Sequence, residues 1–226
     1  MRDTGTTAAD ARRGRLRRPP AGDGTATPPP GRSTVDLGGA PHGLWYVPRT
    51  PARRLVVLLH GAGGTAADAL RLLLPYADER GLTLFAPQSA EVTWDVIGAG
   101  YGPDVTRVQH GLDRVLGACP VPAVAIGGFS DGASYALSLG LANGDVFDAV
   151  LAFSPGFAAP AGRAGAPALY VSHGRADRVL PVDRCSRRLV PALRDAGYRV
   201  AYDEFDGGHE VPAAVAGRAL DWLAAR

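Results

Sequence analysis

Ser130 lies in the pentapeptide Gly128-Phe129-Ser130-Asp131-Gly132, directly after an apolar run typical of a buried strand and before a helical pattern. At a strand-to-helix turn of the form G-x-S-x-G, the sharp turn strains the central residue, and the small residues on either side avoid clashes. The serine hydroxyl is then lifted above the sheet at the start of a helix. The position of the pentapeptide therefore predicts that Ser130 is a nucleophile.

A serine hydroxyl is a poor nucleophile at neutral pH, so it needs a base to take its proton and an acid to orient that base. His209 is the only histidine after Asp177, and both residues follow predicted strands. Open α/β sheets place their sites at the carboxyl ends of strands, which favours His209 as base and Asp177 as acid. Asp183 and Asp206 stay open as alternatives for the acid, and Asp183 could instead cap a helix. Three other histidines are expected to be surface or loop residues: His42, His110 and His173.

A glycine-rich segment, residues 60–64 (HGAGG), follows the apolar run RLVVLL. Acyl transfer builds negative charge on the carbonyl oxygen, and two preorganised N–H groups stabilise that charge. We expect the N–H groups of Asp131 and Ala62 to form this oxyanion hole, with His60 bracing the loop. The segment matches neither GxxxxGK[ST] nor GxGxxG, which argues against a phosphate-binding loop.

The long connection 87–104 carries Trp94 and Tyr101. A connection of this length inside a compact domain usually forms part of a binding site, so we expect these two residues to bind substrate. The interval 154–167 is short and rich in Pro and Gly, and it contains no helical insertion of the lid kind. A shallow, open site is expected.

Apolar runs alternate with helical patterns from Val35 onward. Strands are predicted at Leu44–Val47, Leu55–His60, Leu82–Ala86, Val121–Gly127, Ala149–Phe153, Leu169–Ser172 and Arg199–Phe205. Helices are predicted at Thr65–Glu79, Thr106–Gly117, Gly132–Ala142, Asp183–Ala196 and Ala213–Ala225. Two of the runs are continuously apolar, as in parallel strands covered on both faces. The repeated order of strand, helix and strand predicts an α/β fold with a doubly wound, mostly parallel sheet of about seven strands and helices on both faces.

Residues 1–33 contain seven Arg, three Asp and clustered Pro, with almost no large apolar side chains. Such a segment cannot bury enough surface to offset its chain entropy, so we expect a disordered tail (1–33) and a single domain (34–226). The basic cluster 13–18 has no aromatic residues and no structured module beside it, so we expect it to be solvated, without a nucleic-acid partner. The segment also lacks the apolar stretch of a secretory signal.

The chain has 226 residues, of which 46% are apolar and 20% charged, with a formal net charge of +2. No stretch approaches the roughly 18 apolar residues of a membrane span, which argues against integral membrane association. Cys119 and Cys185 have no metal-ligand or CxxC spacing. We expect two unpaired thiols in a reducing, cytoplasmic compartment, and a monomer or homodimer.

The motifs LLHGAGG, GFSDG, HGRADRVLP and GGHEVP, in this order, resemble those of the α/β-hydrolase superfamily, and within it the phospholipase/carboxylesterase-type serine hydrolases. The chain is also similar to dienelactone-hydrolase-like and polyhydroxyalkanoate-depolymerase-like enzymes. The resemblance covers about residues 40–226, and the pair Trp94-Asp95 resembles the group's W-[FY]-D pattern in a substrate loop. It implies an α/β-hydrolase fold without a lid domain. It also implies hydrolysis of small to medium carboxylic esters or thioesters by a Ser-Asp-His triad, without metal or organic cofactor.

Two positions depart from the group's pattern: Asp131 stands where the group often has Gln, and Ala133 replaces a frequent second Gly. A carboxylate at Asp131 puts negative charge near the oxyanion if the side chain turns inward. Two other functions stay open. A peptidase of the same superfold usually carries an additional domain, for which this length leaves no room, and a non-catalytic ligand-binding pseudo-hydrolase does not need the complete triad.

Overall fold

The computed structural model of the protein describes residues 7–20, 22, 28–98 and 100–226. Within these residues the strands are β1 (Gly31–Val35), β2 (Gly43–Val47), β3 (Arg54–Leu59), β4 (Leu82–Ala86), β5 (Ala123–Phe129), β6 (Ala149–Phe153), β7 (Ala168–Gly174) and β8 (Val200–Phe205). The helices are α1 (Ala8–Arg12), α2 (Ala66–Arg71), α3 (Ala77–Arg80), α4 (Asp95–Gly98), α5 (Pro103–Ala118), α6 (Asp131–Ala142), α7 (Ser186–Asp195) and α8 (Ala213–Ala224), with a 3₁₀ helix at Leu74–Tyr76.

One sheet contains all eight of these strands in the order β1-β2-β4-β3-β5-β6-β7-β8. The pairs β1–β2 and β2–β4 are antiparallel, and the other neighbours are parallel. The prediction of a doubly wound, mostly parallel sheet is therefore confirmed. The strand beyond the seven predicted is β1, which extends the antiparallel edge of the sheet.

The core lies on both faces of the sheet. Along β3 every residue is buried, and alternate side chains point to opposite faces, as the pleat requires. Leu55, Val57 and Leu59 pack with apolar side chains of α5, α6 and α7. Val56 and Leu58 pack on the other face with those of α2 and α8. None of the helices in the described part of the chain has the length and apolar character needed to cross a membrane.

The single helix predicted over Thr65–Glu79 is wrong, because the structure divides this segment into α2, a 3₁₀ helix and α3. Pro75 lies in the 3₁₀ helix. Proline has no N–H to donate and disfavours helical backbone in the residue before it, so the α-helix ends upstream. The predicted start is correct: Thr65 and Asp68 form a capping box.

Within the segment predicted to be a tail, residues 7–20 lie against the domain and residues 31–33 belong to β1. Leu16 is only 3% exposed, and its N–H donates to Asn143 Oδ1 at 2.7 Å. The N–H of Arg17 donates to Gln109 Oε1 at 2.9 Å. Composition cannot reveal this docking, because side-chain amides elsewhere in the chain satisfy the backbone of the segment. The rest of the predicted tail before residue 28, namely residues 1–6, 21 and 23–27, lies outside the described residues apart from residue 22.

We expect the change Leu16→Ala to lower the free energy of unfolding by about 2 kcal/mol, because it removes buried methyl groups and leaves a cavity. Urea unfolding monitored by circular dichroism measures this. Val92→Ala is the control, since the Val92 side chain is 73% exposed and buries little surface. Equal midpoints for the two variants would show that the segment does not contribute to stability.

Candidate active site

Ser130 occupies the turn between β5 and α6, with φ 58° and ψ −122°. Positive φ is unusual for a residue with a side chain, and such strain is concentrated at functional sites. The flanking glycines are required by close packing. A Cβ on Gly128 would lie 2.5 Å from the Gly132 carbonyl carbon, and one on Gly132 would lie 2.3 Å from the carbonyl oxygen of Leu59. The turn therefore fixes both the residue types and the direction of the Ser130 side chain.

The loops after β7 and β8 bring Asp177 and His209 to Ser130. His209 Nε2 lies 2.8 Å from Ser130 Oγ, and His209 Nδ1 lies 2.6 Å from Asp177 Oδ2. Burial alone would raise the pKa of Asp177, but hydrogen bonds from His209 and from the backbone lower it below its ordinary value. The ionised carboxylate can only accept, so Nδ1 of His209 donates to it and Nε2 is free to accept the Ser130 proton.

The alternative acids lie elsewhere. Asp183 Oδ1 accepts from Arg187 Nη1 at 2.7 Å, and α7 begins after Cys185, so Asp183 does not cap that helix. Asp206 pairs with Arg175 at 2.5 Å, and its side chain is 90% exposed. The structure thus brings together Ser130, His209 and Asp177 out of the candidates that the sequence left open.

Free N–H groups lie beside Ser130. In the glycine-rich segment Gly63 N–H donates to Val92 O at 2.7 Å and Gly64 N–H to Gly61 O at 3.0 Å, whereas the amides of Gly61 and Ala62 have no acceptor among the described residues. The amide of Asp131, the first residue of α6, lies on the other side of Ser130. The loop comes close, since a Cβ on Gly61 would lie 3.3 Å from Ser130 Cβ. The arrangement suits an oxyanion hole, and the role of the Ala62 and Asp131 amides stays a prediction.

Solved structures of similar architecture include several hydrolases. The esterase PE8 is 26% identical over 79% of this chain and 95% of that chain, with a TM-score of 0.66. The protein TT1662 from Thermus thermophilus is 26% identical over 85% of this chain and 96% of that chain, with a TM-score of 0.62. The Bacillus cereus carboxylesterase is 17% identical over 80% of this chain and 92% of that chain, with a TM-score of 0.62. The chain has an α/β-hydrolase fold of the carboxylesterase type. No protein-family model and no curated protein matches its sequence.

In this α/β-hydrolase fold the carboxylate of Asp131 turns toward the connection 87–104. Its Oδ2 accepts from Thr93 Oγ1 at 2.7 Å. The sequence identified the unusual carboxylate but gave no signal for Thr93 as its partner, because contacts between a loop and a helix start have no fixed spacing. The hydrogen bond gives the negative charge beside the predicted oxyanion hole a partner.

Trp94, for which the sequence predicts a role in substrate binding, is buried, with 1% of its surface exposed. A substrate role for Trp94 stays a prediction. Its Nε1 donates to the carbonyl oxygen of His60 at 2.8 Å, and its ring stacks on Tyr135. His60 in turn lies 2.8 Å through Nδ1 from Gly61 O and accepts through Nε2 from the Ser89 N–H. Both residues therefore hold the glycine-rich segment 60–64 in place. A large aromatic side chain in a loop fits core packing as well as ligand binding.

Tyr101 is partly buried, and its hydroxyl donates to Ala159 O at 2.7 Å. Its ring lies 6.1 Å from that of Tyr135. Burial raises the pKa of Tyr101 to about 12, so the hydroxyl remains protonated near neutral pH. These contacts tie the connection 87–104 to the segment that follows β6, and a substrate role for Tyr101 stays a prediction.

Two carboxylates, those of Asp95 and Asp104, accept backbone N–H groups within the connection 87–104. Asp104 accepts the N–H groups of Ala90 at 2.8 Å and Asp95 at 2.9 Å. Asp95 Oδ2 accepts the N–H groups of Gly102 at 2.8 Å and Asp104 at 2.9 Å. Burial, reinforced by the charge of Asp95, raises the pKa of Asp104 to about 6. These hydrogen bonds fix the backbone of the connection that carries Thr93 and Trp94.

The raised pKa of Asp104 predicts a pH dependence of stability. The folded protein binds this proton more tightly than the unfolded chain, in which the ordinary value of 3.8 applies. Protonation therefore stabilises the fold, and this contribution is lost as the pH rises from about 4 through about 6. We expect Asp104→Asn to weaken this dependence in urea unfolding between pH 4 and pH 7. Asp195→Asn, at an exposed position, should keep the wild-type dependence, and identical slopes in both variants would contradict the prediction.

Two large apolar side chains are the most exposed in the described part of the chain: Val92 at 73% and Val179 at 66%. Both lie on segments that carry site residues. Val92 O accepts from Gly63 in the glycine-rich segment, and the Val179 N–H donates to Asp177 Oδ1 at 2.9 Å. The connection between β6 and β7 contains no helix. Exposed apolar side chains therefore lie on segments that adjoin the candidate site.

Proposed function

We propose that the protein is a serine hydrolase that cleaves carboxylic esters through an acyl-enzyme intermediate. The observation that carries this proposal is the continuous hydrogen-bonded chain from Ser130 Oγ through His209 to Asp177, with spacings of 2.8 and 2.6 Å. These spacings fit a nucleophile, a base and an orienting acid. Similarity to an esterase at 26% identity supports esters as the substrate class.

In the proposed reaction, His209 Nε2 takes the proton of Ser130 as Oγ attacks the ester carbonyl carbon. The carbonyl oxygen becomes an oxyanion, which the N–H groups of Ala62 and Asp131 stabilise. When the intermediate collapses, the bond to the alcohol oxygen breaks, and the alcohol leaves with the proton from His209. Water, deprotonated by the same ring, then attacks the acyl-Ser130 ester and releases the carboxylic acid.

The exposed side chains of Val92 and Val179, on segments that adjoin the candidate site, favour small to medium acyl groups with an apolar portion. An enclosed tunnel for long chains needs a lid, and the connection between β6 and β7 supplies no helix for one. Thioesters fit the same chemistry. We propose a cytoplasmic location, for which the two free cysteines are the support.

A panel of p-nitrophenyl esters from acetate to dodecanoate, with a thioester and a dipeptide p-nitroanilide beside them, tests the function. We expect the highest kcat/KM among the short and medium esters. We also expect a fluorophosphonate probe to add its mass to the peptide that contains Ser130. Faster turnover of the anilide than of any ester would favour a peptidase. Absence of both labelling and turnover would favour a non-catalytic ligand-binding protein.

A further inference from the structure

A second histidine, His173, lies at the end of β7 next to the carboxylate of Asp177, which also contacts His209. It is fully buried, which corrects the expectation of a surface or loop residue. Its Nε2 lies 2.7 Å from Leu180 O and 3.3 Å from Asp177 Oδ2. Its Nδ1 lies 2.7 Å from Ser186 Oγ at the start of α7. Nothing in the proposed reaction uses this ring.

The partners of His173 fix its proton. A carbonyl oxygen can only accept, so Nε2 carries the hydrogen and donates it to Leu180 O. Burial lowers the pKa of His173, and the hydrogen bond to Leu180 opposes this only in part. The ring is therefore neutral near pH 7, so Nδ1 has no hydrogen and accepts from the hydroxyl of Ser186. Both ring nitrogens are therefore hydrogen-bonded in the tautomer that carries its hydrogen on Nε2.

The side chain of Asp177 is fully buried and needs donors for both of its oxygens. Oδ1 accepts the N–H groups of Val179 at 2.9 Å and Leu180 at 2.8 Å. Oδ2 accepts from His209 and is approached by His173. The His173 ring thus lies against the carboxylate of Asp177. It also donates to the carbonyl oxygen of Leu180, and the N–H of Leu180 donates to the carboxylate of Asp177.

We propose that His173 is a positioning residue for the ester hydrolysis: it holds Leu180, and through Leu180 the carboxylate of Asp177, in line with His209, and is itself held by Ser186. This inference rests on the proposed function. Loss of the Nε2–H would remove the hydrogen bond that ties Leu180 to β7, and with it the fixed position of the Leu180 N–H that donates to Asp177 Oδ1. The carboxylate would then sample orientations in which His209 is not aligned with Ser130.

The variants His173→Gln and His173→Asn form a matched test. Both place an amide in the same buried position, but the longer Gln side chain reaches toward Leu180 and Asp177, whereas the Asn amide stops near Ser186. We expect Gln to keep kcat within threefold of the wild type and Asn to lower kcat about 10- to 100-fold, because the buried carbonyl oxygen of Leu180 loses its donor and the segment that positions Asp177 is released. KM should change less than twofold in both, since the ring is fully buried.

The dependence of kcat/KM on pH gives a second test, because a residue that only stabilised the fold would not change it. When the carboxylate of Asp177 leaves its alignment, it accepts less fully from His209 and stabilises the protonated ring less. In the Asn variant we therefore expect the acidic limb of kcat/KM to shift to lower pH, by about half a pH unit. The titratable groups around the two residues are His209, Glu204 and Cys185. None of these is altered in either variant, so a shift would report on the contact between His173 and Asp177.

His110→Asn is the control for the substitution itself. It lies on α5 and contacts Leu37 O rather than the site. If the His173 variants fold poorly, Ser186→Ala tests the same arrangement with the ring intact, and we expect a loss of about threefold to tenfold in kcat. Equal kcat values and unshifted limbs in the Asn and Gln variants, or no loss in Ser186→Ala, would overturn the inference while leaving the function intact. A wild-type protein without esterase activity would instead remove the function on which it rests.

Discussion

Replacing Ser130 by alanine is expected to lower kcat for p-nitrophenyl ester hydrolysis by about 10⁶-fold, the loss known for the nucleophile of another triad. The change removes the oxygen that attacks the carbonyl carbon, and no other hydroxyl is in contact with His209 among the described residues. Alanine keeps the Cβ, so the strain of the positive φ is unchanged. The free energy of unfolding should therefore stay within about 1 kcal/mol of the wild type, because one partly buried hydrogen bond is lost.

Ser154→Ala is a closely matched control for this prediction. Ser154 follows the neighbouring strand β6 and also has positive φ, 53° against 58° for Ser130. Its Oγ is buried without a hydrogen-bond partner in the described part of the chain. We expect Ser154→Ala to keep kcat within tenfold of the wild type. Retained turnover in purified Ser130→Ala, with contaminating esterases excluded by fluorophosphonate labelling, would contradict Ser130 as the nucleophile.

The arrangement of Ser130, Asp177 and His209 could be predicted because it depends on short-range signals. Each residue follows a strand that the sequence predicts, and parallel strands bring their carboxyl ends to one edge of the sheet. Pairing of the strands then determines which loops meet. The register of β7 with β8, in which Gly174 pairs with Phe205, carries Asp177 and His209 to adjacent loops.

Other features could not be predicted, because they depend on side-chain direction rather than on position along the chain. The sequence around Trp94 is compatible with either a buried or an exposed side chain. Its hydrogen bond to His60 O is a contact that the sequence pattern does not reveal. The docking of Leu16 depends on Asn143, 127 residues away. His173 is buried at the end of β7, although a surface or loop position is expected from the sequence, because the pattern does not fix the orientation of a side chain at a strand end.

Replacing Asp177 by asparagine is expected to lower kcat by about 10⁴-fold, because the amide favours the wrong tautomer of the base. The ionised carboxylate accepts the Nδ1 hydrogen of His209 at 2.6 Å and keeps Nε2 free to take the Ser130 proton. An asparagine that turned its NH₂ group toward Nδ1 would place the hydrogen on Nε2, where the ring can no longer accept. Substrate binding does not use this carboxylate, so KM should change little.

Asp183→Asn measures what the loss of a nearby carboxylate does by itself. Its side chain is 76% exposed and pairs with Arg187, and an exposed ion pair contributes about 0–1 kcal/mol. We therefore expect less than a tenfold change in kcat. The pH profile gives an independent check, because His209 must be neutral to accept the Ser130 proton and kcat/KM should rise with pH through a single ionisation. If Asp183→Asn were the more damaging change, or if kcat/KM were flat between pH 5 and pH 8, the roles assigned to Asp177 and His209 would be wrong although the fold would stand.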